Sequence, residues 1–280
     1  MTDTDTDTAT DAIVGLMDFT LLDHSATDDQ LRVFCERASS ARPAAVCVFS
    51  EHVAKVKSWL SATEEECGSE RVAVAAVCGG FPIGSFNVSE VVESISEAVT
   101  GGADEIDIVL EPRVPSALPG IPEAEFLTAC REACQSLVLK VILETPLLSE
   151  EVTRFASELS LSNGADFIKS CTGKRGGCSL DAARIMATEL KKFEMSTGNK
   201  RGIKISGGIQ TKKQAMEMLA LIVESHPSIL SGDDVQYCRQ DRERIRIGAS
   251  SLMKDLLPQL YEEAQPLSDN TTNNDTDVGY

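Results

Sequence analysis

"GADFIKSCTG", residues 164–173, is the stretch on which the fold turns. Ala165, Phe167 and Ile168 have the composition of a buried strand, yet Lys169 stands at its end, where a lysine is costly. "GIKISGG" (202–208) repeats the arrangement, with Lys204 between two isoleucines. Working outward, six more strand-like runs appear: "LMDFTLL" (16–22), "AAVCVF" (44–49), "RVAVAAVC" (71–78), "DEIDIVL" (104–110), "LVLKVILET" (137–145) and "RIRIGAS" (244–250). Between them lie amphipathic segments such as "TDDQLRVFCERASS", "NVSEVVESISEAVT", "SEEVTRFASELSLSN" and "TKKQAMEMLALIVES". Their leading Ser, Thr or Asn is N-terminal capping chemistry for helices. Strict strand–helix alternation demands a parallel sheet, and eight such units predict an α/β protein of the (β/α)₈ barrel type. A doubly wound open sheet is the alternative, weakened because no G-x-G-x-x-G follows the first strand.

The pattern places one barrel domain over residues 12–264. Residues 1–11, "MTDTDTDTATD", read as a disordered acidic tail with neither the basic nor the apolar region of a signal peptide. Residues 265–280 are polar and read as a flexible C-terminal tail ending in a lone aromatic, Tyr280.

Net charge is −18, with 26 basic against 44 acidic residues, which argues against nucleic acid or an anionic membrane as partner. An anionic substrate would therefore need a local basic island. Nine scattered cysteines without a C-x-x-C pair read as reduced thiols in a cytoplasmic protein. Cys130 and Cys134 share a helical face and read as core packing. The three histidines lie far from any second ligand at metal spacing, so no metal site is expected.

Side chains on a strand alternate faces with period two. Glu105 and Asp107 oppose Ile106 and Ile108, and Lys140 and Glu144 oppose Val141 and Leu143. Lys169, Lys204 and Arg246 likewise oppose isoleucines. In a barrel the helices cover the apolar outside, so the charged face lines the interior, where charges must pair. Structural pairing accounts for Glu105, Lys140 and Arg246. It accounts less well for Lys169 and Lys204, which fall toward the strand ends where barrel enzymes place their chemistry.

A lysine desolvated beside a second cation is pushed toward the free amine. Such an amine condenses with a carbonyl, and the resulting iminium is an electron sink for a neighbouring carbon–carbon bond. Asp107 is placed to pair with a lysine and pass protons. This chemistry requires no cofactor. The "SGG" (206–208) and "GASS" (248–251) turns after strands seven and eight suit a phosphate, as do Lys174 and Arg175 of "TGKRGG".

Seven collinear motifs carry a resemblance: "LMDFTLL", "AAVCVF", "GADEIDIVL", "KVILET", "GADFIKSCTGK", "KISGGIQT" and "RIGASSL". Over residues 14–262 the chain resembles deoxyribose-phosphate aldolase of the lysine-dependent class I type. The resemblance implies a (β/α)₈ barrel that reversibly cleaves 2-deoxy-D-ribose 5-phosphate to acetaldehyde and D-glyceraldehyde 3-phosphate. It implies Lys169 as the Schiff-base lysine, Lys204 as its partner and Asp107 as the acid/base carboxylate. Tyr280 becomes a candidate proton carrier, because some relatives end in a tail closing on tyrosine. Gly173, Lys174, Gly207, Gly208, Gly248, Ser250 and Ser251 are the candidate phosphate residues, with Cys47 and Thr172 lining the site.

Three departures stand out. Gln210 follows "GGI" where the family commonly has Arg or Lys, "RGGCS" after Lys174 is short and glycine-rich, and Cys78-Gly79-Gly80 replace bulkier residues. They bear on phosphate affinity and acceptor preference. Two other functions fit the same residues: a different class I sugar-phosphate aldolase, and a catalytically silent phosphosugar-binding barrel. The expected partner is a small phosphorylated sugar, and a homodimer is compatible with the chain.

Overall fold

Strands form where the apolar runs stand, and each pairs in parallel with the next until the last closes on the first. The computed structural model describes residues 3–67, 71–114, 121–230 and 238–262. Its strands are β1 (Met17–Thr20), β2 (Ala45–Phe49), β3 (Ala73–Cys78), β4 (Glu105–Val109), β5 (Val138–Ile142), β6 (Phe167–Lys169), β7 (Gly202–Ser206) and β8 (Ile245–Ala249). The β1–β8 pairing, with Asp18 opposite Gly248, rules out the open sheet and makes the expected (β/α)₈ barrel the fold.

The helices are α1 (Asp3–Gly15), α2 (Asp28–Ala41), α3 (Val53–Cys67), α4 (Val88–Thr100), α5 (Ile121–Cys134), α6 (Glu150–Ser162), α7 (Leu180–Thr197), α8 (Lys212–Ser225) and α9 (Leu252–Leu256). Thr27 and Thr211 close capping boxes with Gln30 and Gln214, and Asn87, Ser149 and Ser179 cap α4, α6 and α7. Each such cap stabilises its helix by about 1 kcal/mol.

The isoleucines and valines opposite the charged positions all point outward. Ile106, Ile108, Val141, Ile168, Ile203, Ile205, Ile245 and Ile247 are fully buried in one core with Leu31, Ile95, Leu127, Leu190 and Leu219 of the helices. Burial contributes roughly 1.5–3 kcal/mol for each large side chain. Cys130 and Cys134 belong to this core.

One boundary differs from expectation. The described part of the acidic N-terminus is helical from Asp3, because Ala12, Ile13 and Val14 are buried ahead of β1 and the chain leading to them continues their helix. Asp11 in α1 is held by Arg239, whose Nη2 lies 2.6 Å from its carboxylate. The segment 265–280, including Tyr280, lies outside the described residues. Among the described residues no helix is long and apolar enough to cross a membrane.

Candidate active site

The barrel's register brings the charged residues together. Lys169 stands opposite Lys204, Lys204 opposite Arg246, and Asp107 opposite Lys140. All are buried on the inward face. Lys169 Nζ and Lys204 Nζ both donate to Asp107 Oδ2, each at 2.8 Å. The two ammonium groups therefore meet across a single carboxylate oxygen. Lys204 Nζ also donates to Asp18 Oδ2 at 2.5 Å.

Lys140 is more heavily paired. It donates to Asp18 at 2.8 Å and to Glu105, and lies 3.2 Å from Asp107 Oδ1. Arg246 bridges Asp18 and Glu105, at 2.7 and 2.8 Å. The connected cluster thus holds three carboxylates (Asp18, Glu105, Asp107) against four basic groups (Lys140, Lys169, Lys204, Arg246). Fully ionised, it carries one surplus positive charge. Gly248 makes room for it: a Cβ there would come within 3.0 Å of Lys204 Cε.

Burial pushes the Asp107 carboxyl up, but Lys140, Lys169 and Lys204 outweigh it and hold the group far below the usual carboxylate range. Asp18 is held down the same way by Lys140, Lys204 and Arg246. Burial pushes Lys204 down, yet Asp107 and Asp18 hold it above the ordinary lysine value, so Lys204 is a standing cation. Lys140 is held higher still against the same burial.

Above the cluster opens a cavity of about 240 Å³ lined by Lys169, Thr172, Gly173, Lys174 and the turns 206–210 and 248–251. Every candidate phosphate residue is on its wall, as is Gln210. Lys204 and Asp107 lie behind Lys169 and do not reach the wall. Gly207 has φ +82°, and a Cβ there would strike Cys171 Sγ at 2.7 Å and Gly176 O at 2.8 Å. The turn and the 171–177 loop can pack this tightly only with glycine at that position.

Cys47, a candidate site-lining residue, is buried beside Asp107 and the cluster lysines in an inward apolar group with Phe49, Val77, Phe81, Val109 and Ile142, off the cavity wall. Burial, and then Asp107, raises its thiol to about 11, so it stays protonated at neutral pH. One expectation is corrected. Arg175 was read as part of the basic island. It turns away from the cavity to Glu111 (2.8 Å) and Glu144 (3.3 Å), leaving Lys174 to face the cavity. The Phe81 ring of the apolar group has its centroid 5.9 Å from Lys169 Nζ.

Sequence reasoning passed over Asp18, although it is a lone acid in an apolar run. Its period-two parity, opposite Met17 and Phe19, was the available signal. Glu144 was placed on strand five. β5 ends at Ile142, and Glu144 adopts a left-handed turn with φ 59° while fully buried. A non-glycine residue held there costs on the order of 1–2 kcal/mol.

The closed eight-stranded parallel barrel, with a buried lysine pair at its mouth, puts the chain in the class of (β/α)₈ barrel proteins. Within it, the chain belongs to the DeoC/LacD family of aldolases, whose sequence model matches residues 9–252. It is similar to a Coccidioides immitis protein provisionally described as a deoxyribose-phosphate aldolase, at 26% identity and TM-score 0.70 over 89% of this chain and 86% of that one. An aldolase designated QR15 is 27% identical over 88% of this chain and 96% of its own, with TM-score 0.64. The deoxyribose phosphate aldolase of Aeropyrum pernix, at 22% identity, shares the fold with TM-score 0.65, covering 91% of this chain and 97% of that one.

Proposed function

We propose that this aldolase cleaves 2-deoxy-D-ribose 5-phosphate, reversibly, to acetaldehyde and D-glyceraldehyde 3-phosphate through a Schiff base on Lys169. The observation that carries the reading is the pair of lysines sharing Asp107 Oδ2 behind a glycine-lined cavity. The cluster's surplus positive charge is removed when one basic group gives up a proton. Lys140 holds three carboxylates and Lys204 two, whereas Lys169 has one contact, to an oxygen it shares. Lys169 is also the cluster lysine on the cavity wall. It is the group positioned to be the free amine.

The steps follow from this placement. The Lys169 amine adds to the C1 aldehyde of the open-chain sugar, and loss of water leaves a protonated imine. Asp107, its charge balanced by the Lys204 ammonium, accepts the proton of the C3 hydroxyl through a water. The C2–C3 bond breaks, its electron pair flows into the iminium to give an enamine, and glyceraldehyde 3-phosphate departs. Protonation at C2 and addition of water return acetaldehyde and the Lys169 amine. The 5-phosphate is met by Lys174 and by backbone N–H groups of the 206–208 and 248–251 turns. Product analysis of purified protein with deoxyribose 5-phosphate tests the reading. Equimolar acetaldehyde and glyceraldehyde 3-phosphate are expected. Cleavage of other sugar phosphates only would favour a different class I aldolase, and no turnover of any would favour a silent binding barrel.

A further inference from the structure

The left-handed, buried Glu144 takes no part in the lysine cluster. At the end of β5 the chain is bonded to the chain leaving β6: Leu143 N–H donates to Lys169 O at 2.9 Å, and Thr145 N–H donates to Ser170 O at 2.8 Å. Beyond that point the Glu144 carboxylate takes over, accepting from Thr172 N–H through both oxygens at 3.3 Å. Glu144 also accepts from Arg175 Nη2 at 3.3 Å, and the same Nη2 reaches Glu111 Oε2 at 2.8 Å. The loop is thereby gripped at residue 172 and again at residue 175. Gly173 and Lys174, between the two grips, face the cavity. Lys174 N–H donates to Thr172 Oγ1 at 3.2 Å, which ties the crown of the loop to its gripped end.

We propose that Glu144, acting with Arg175, is a positioning residue that holds the Gly173–Lys174 crown in place for the substrate's phosphate. The left-handed turn aims a buried carboxylate past the end of the strand, where the ladder can no longer fix the loop. This inference rests on the sugar-phosphate reading above. Glu144→Gln keeps the shape of the side chain and removes its charge, weakening its hold on Thr172 and Arg175 and slackening the 172–175 loop. KM for deoxyribose 5-phosphate should rise about 10-fold, the scale of one charge-assisted hydrogen bond. The dissociation constant for inorganic phosphate should rise in parallel. KM for unphosphorylated deoxyribose and the rate of borohydride trapping of acetaldehyde should not change.

Arg175→Met approaches the same loop from its other grip and serves if Glu144→Gln does not fold. Its expected effect is a smaller rise in the phosphate dissociation constant. A merely structural role would lower the melting temperature without separating the two sugars. The proposal is overturned if a folded variant keeps its phosphate affinity, if phosphate binding and acetaldehyde trapping fall equally, or if the unaltered protein does not bind phosphate. A protein that binds phosphate in the Glu144-dependent way but cleaves no deoxyribose 5-phosphate would sink the proposed reaction and leave this inference standing.

Discussion

Lys140 and Lys169 both point into the barrel and both approach Asp107, yet they occupy opposite situations. Lys140 is fully buried, is surrounded by Asp18, Glu105 and Asp107, and has burial outweighed so far that it stays charged. Lys169 is 4% exposed, touches one carboxylate oxygen that Lys204 also uses, and looks into the cavity. Burial alone does not make an amine reactive. The number of carboxylates each lysine can claim separates a structural ion from a candidate nucleophile.

That contrast breaks most readily by exchanging the two effects. Lys169→Met should abolish aldol cleavage. It should cost only about 1 kcal/mol of stability, because Asp107 keeps Lys140 and Lys204 as partners. Lys140→Met removes the one cation that touches Asp18, Glu105 and Asp107 together and should cost ~3–5 kcal/mol, read as a large fall in the denaturation midpoint. Equal stability losses in the two variants would contradict the distinction.

Lys204→Leu sharpens the same comparison. It removes the surplus charge, so Lys169 no longer needs to shed a proton to balance the cluster. Borohydride trapping of acetaldehyde should slow by ~10-fold at pH 7. Acetaldehyde has no phosphate, so a lysine serving only as a phosphate ligand would leave trapping unchanged.

Acid should unfold the protein through the paired carboxylates. Asp18 and Asp107 are held below their unfolded values, so their stabilisation is complete above about pH 4 and fades as pH falls through the folded values. Melting temperature against pH should therefore be flat above that point and drop below it. Lys140→Met moves the folded values of Asp18 and Asp107 toward the unfolded ones, so the drop should begin at the same pH, be smaller and end at higher pH. The smallest effect concerns the cavity rim: Gln210→Arg should lower KM for the phosphorylated sugar by ~2- to 10-fold and leave the unphosphorylated sugar alone.

Much of this was legible in the chain. Period-two alternation assigned inward and outward faces correctly, since the outward isoleucines have to be covered by helices whatever the details. Capping residues Thr27, Asn87, Ser149 and Thr211 marked helix starts because their chemistry is local. What depends on closure around the barrel was not legible. Asp18 and Arg246 are 228 residues apart and pair because β1 meets β8. Alternation could not reveal that Glu144 leaves the strand in a left-handed turn, nor that Arg175 follows Glu111 and Glu144 and turns away from the cavity. The helix from Asp3 was hidden because an acidic, threonine-rich sequence offers little propensity, and its support is the burial of Ala12, Ile13 and Val14.

The central claim is that Lys169, among the lysines of this barrel, is the free amine that attacks a carbonyl. Incubation with acetaldehyde and sodium borohydride at pH 7, followed by peptide mapping in a mass spectrometer, tests it directly. The account predicts one stoichiometric N-ethyl group on Lys169, with Lys140 and Lys204 unmodified. An adduct on Lys204 in place of Lys169, or an unmodified Lys169 in folded protein, would contradict it.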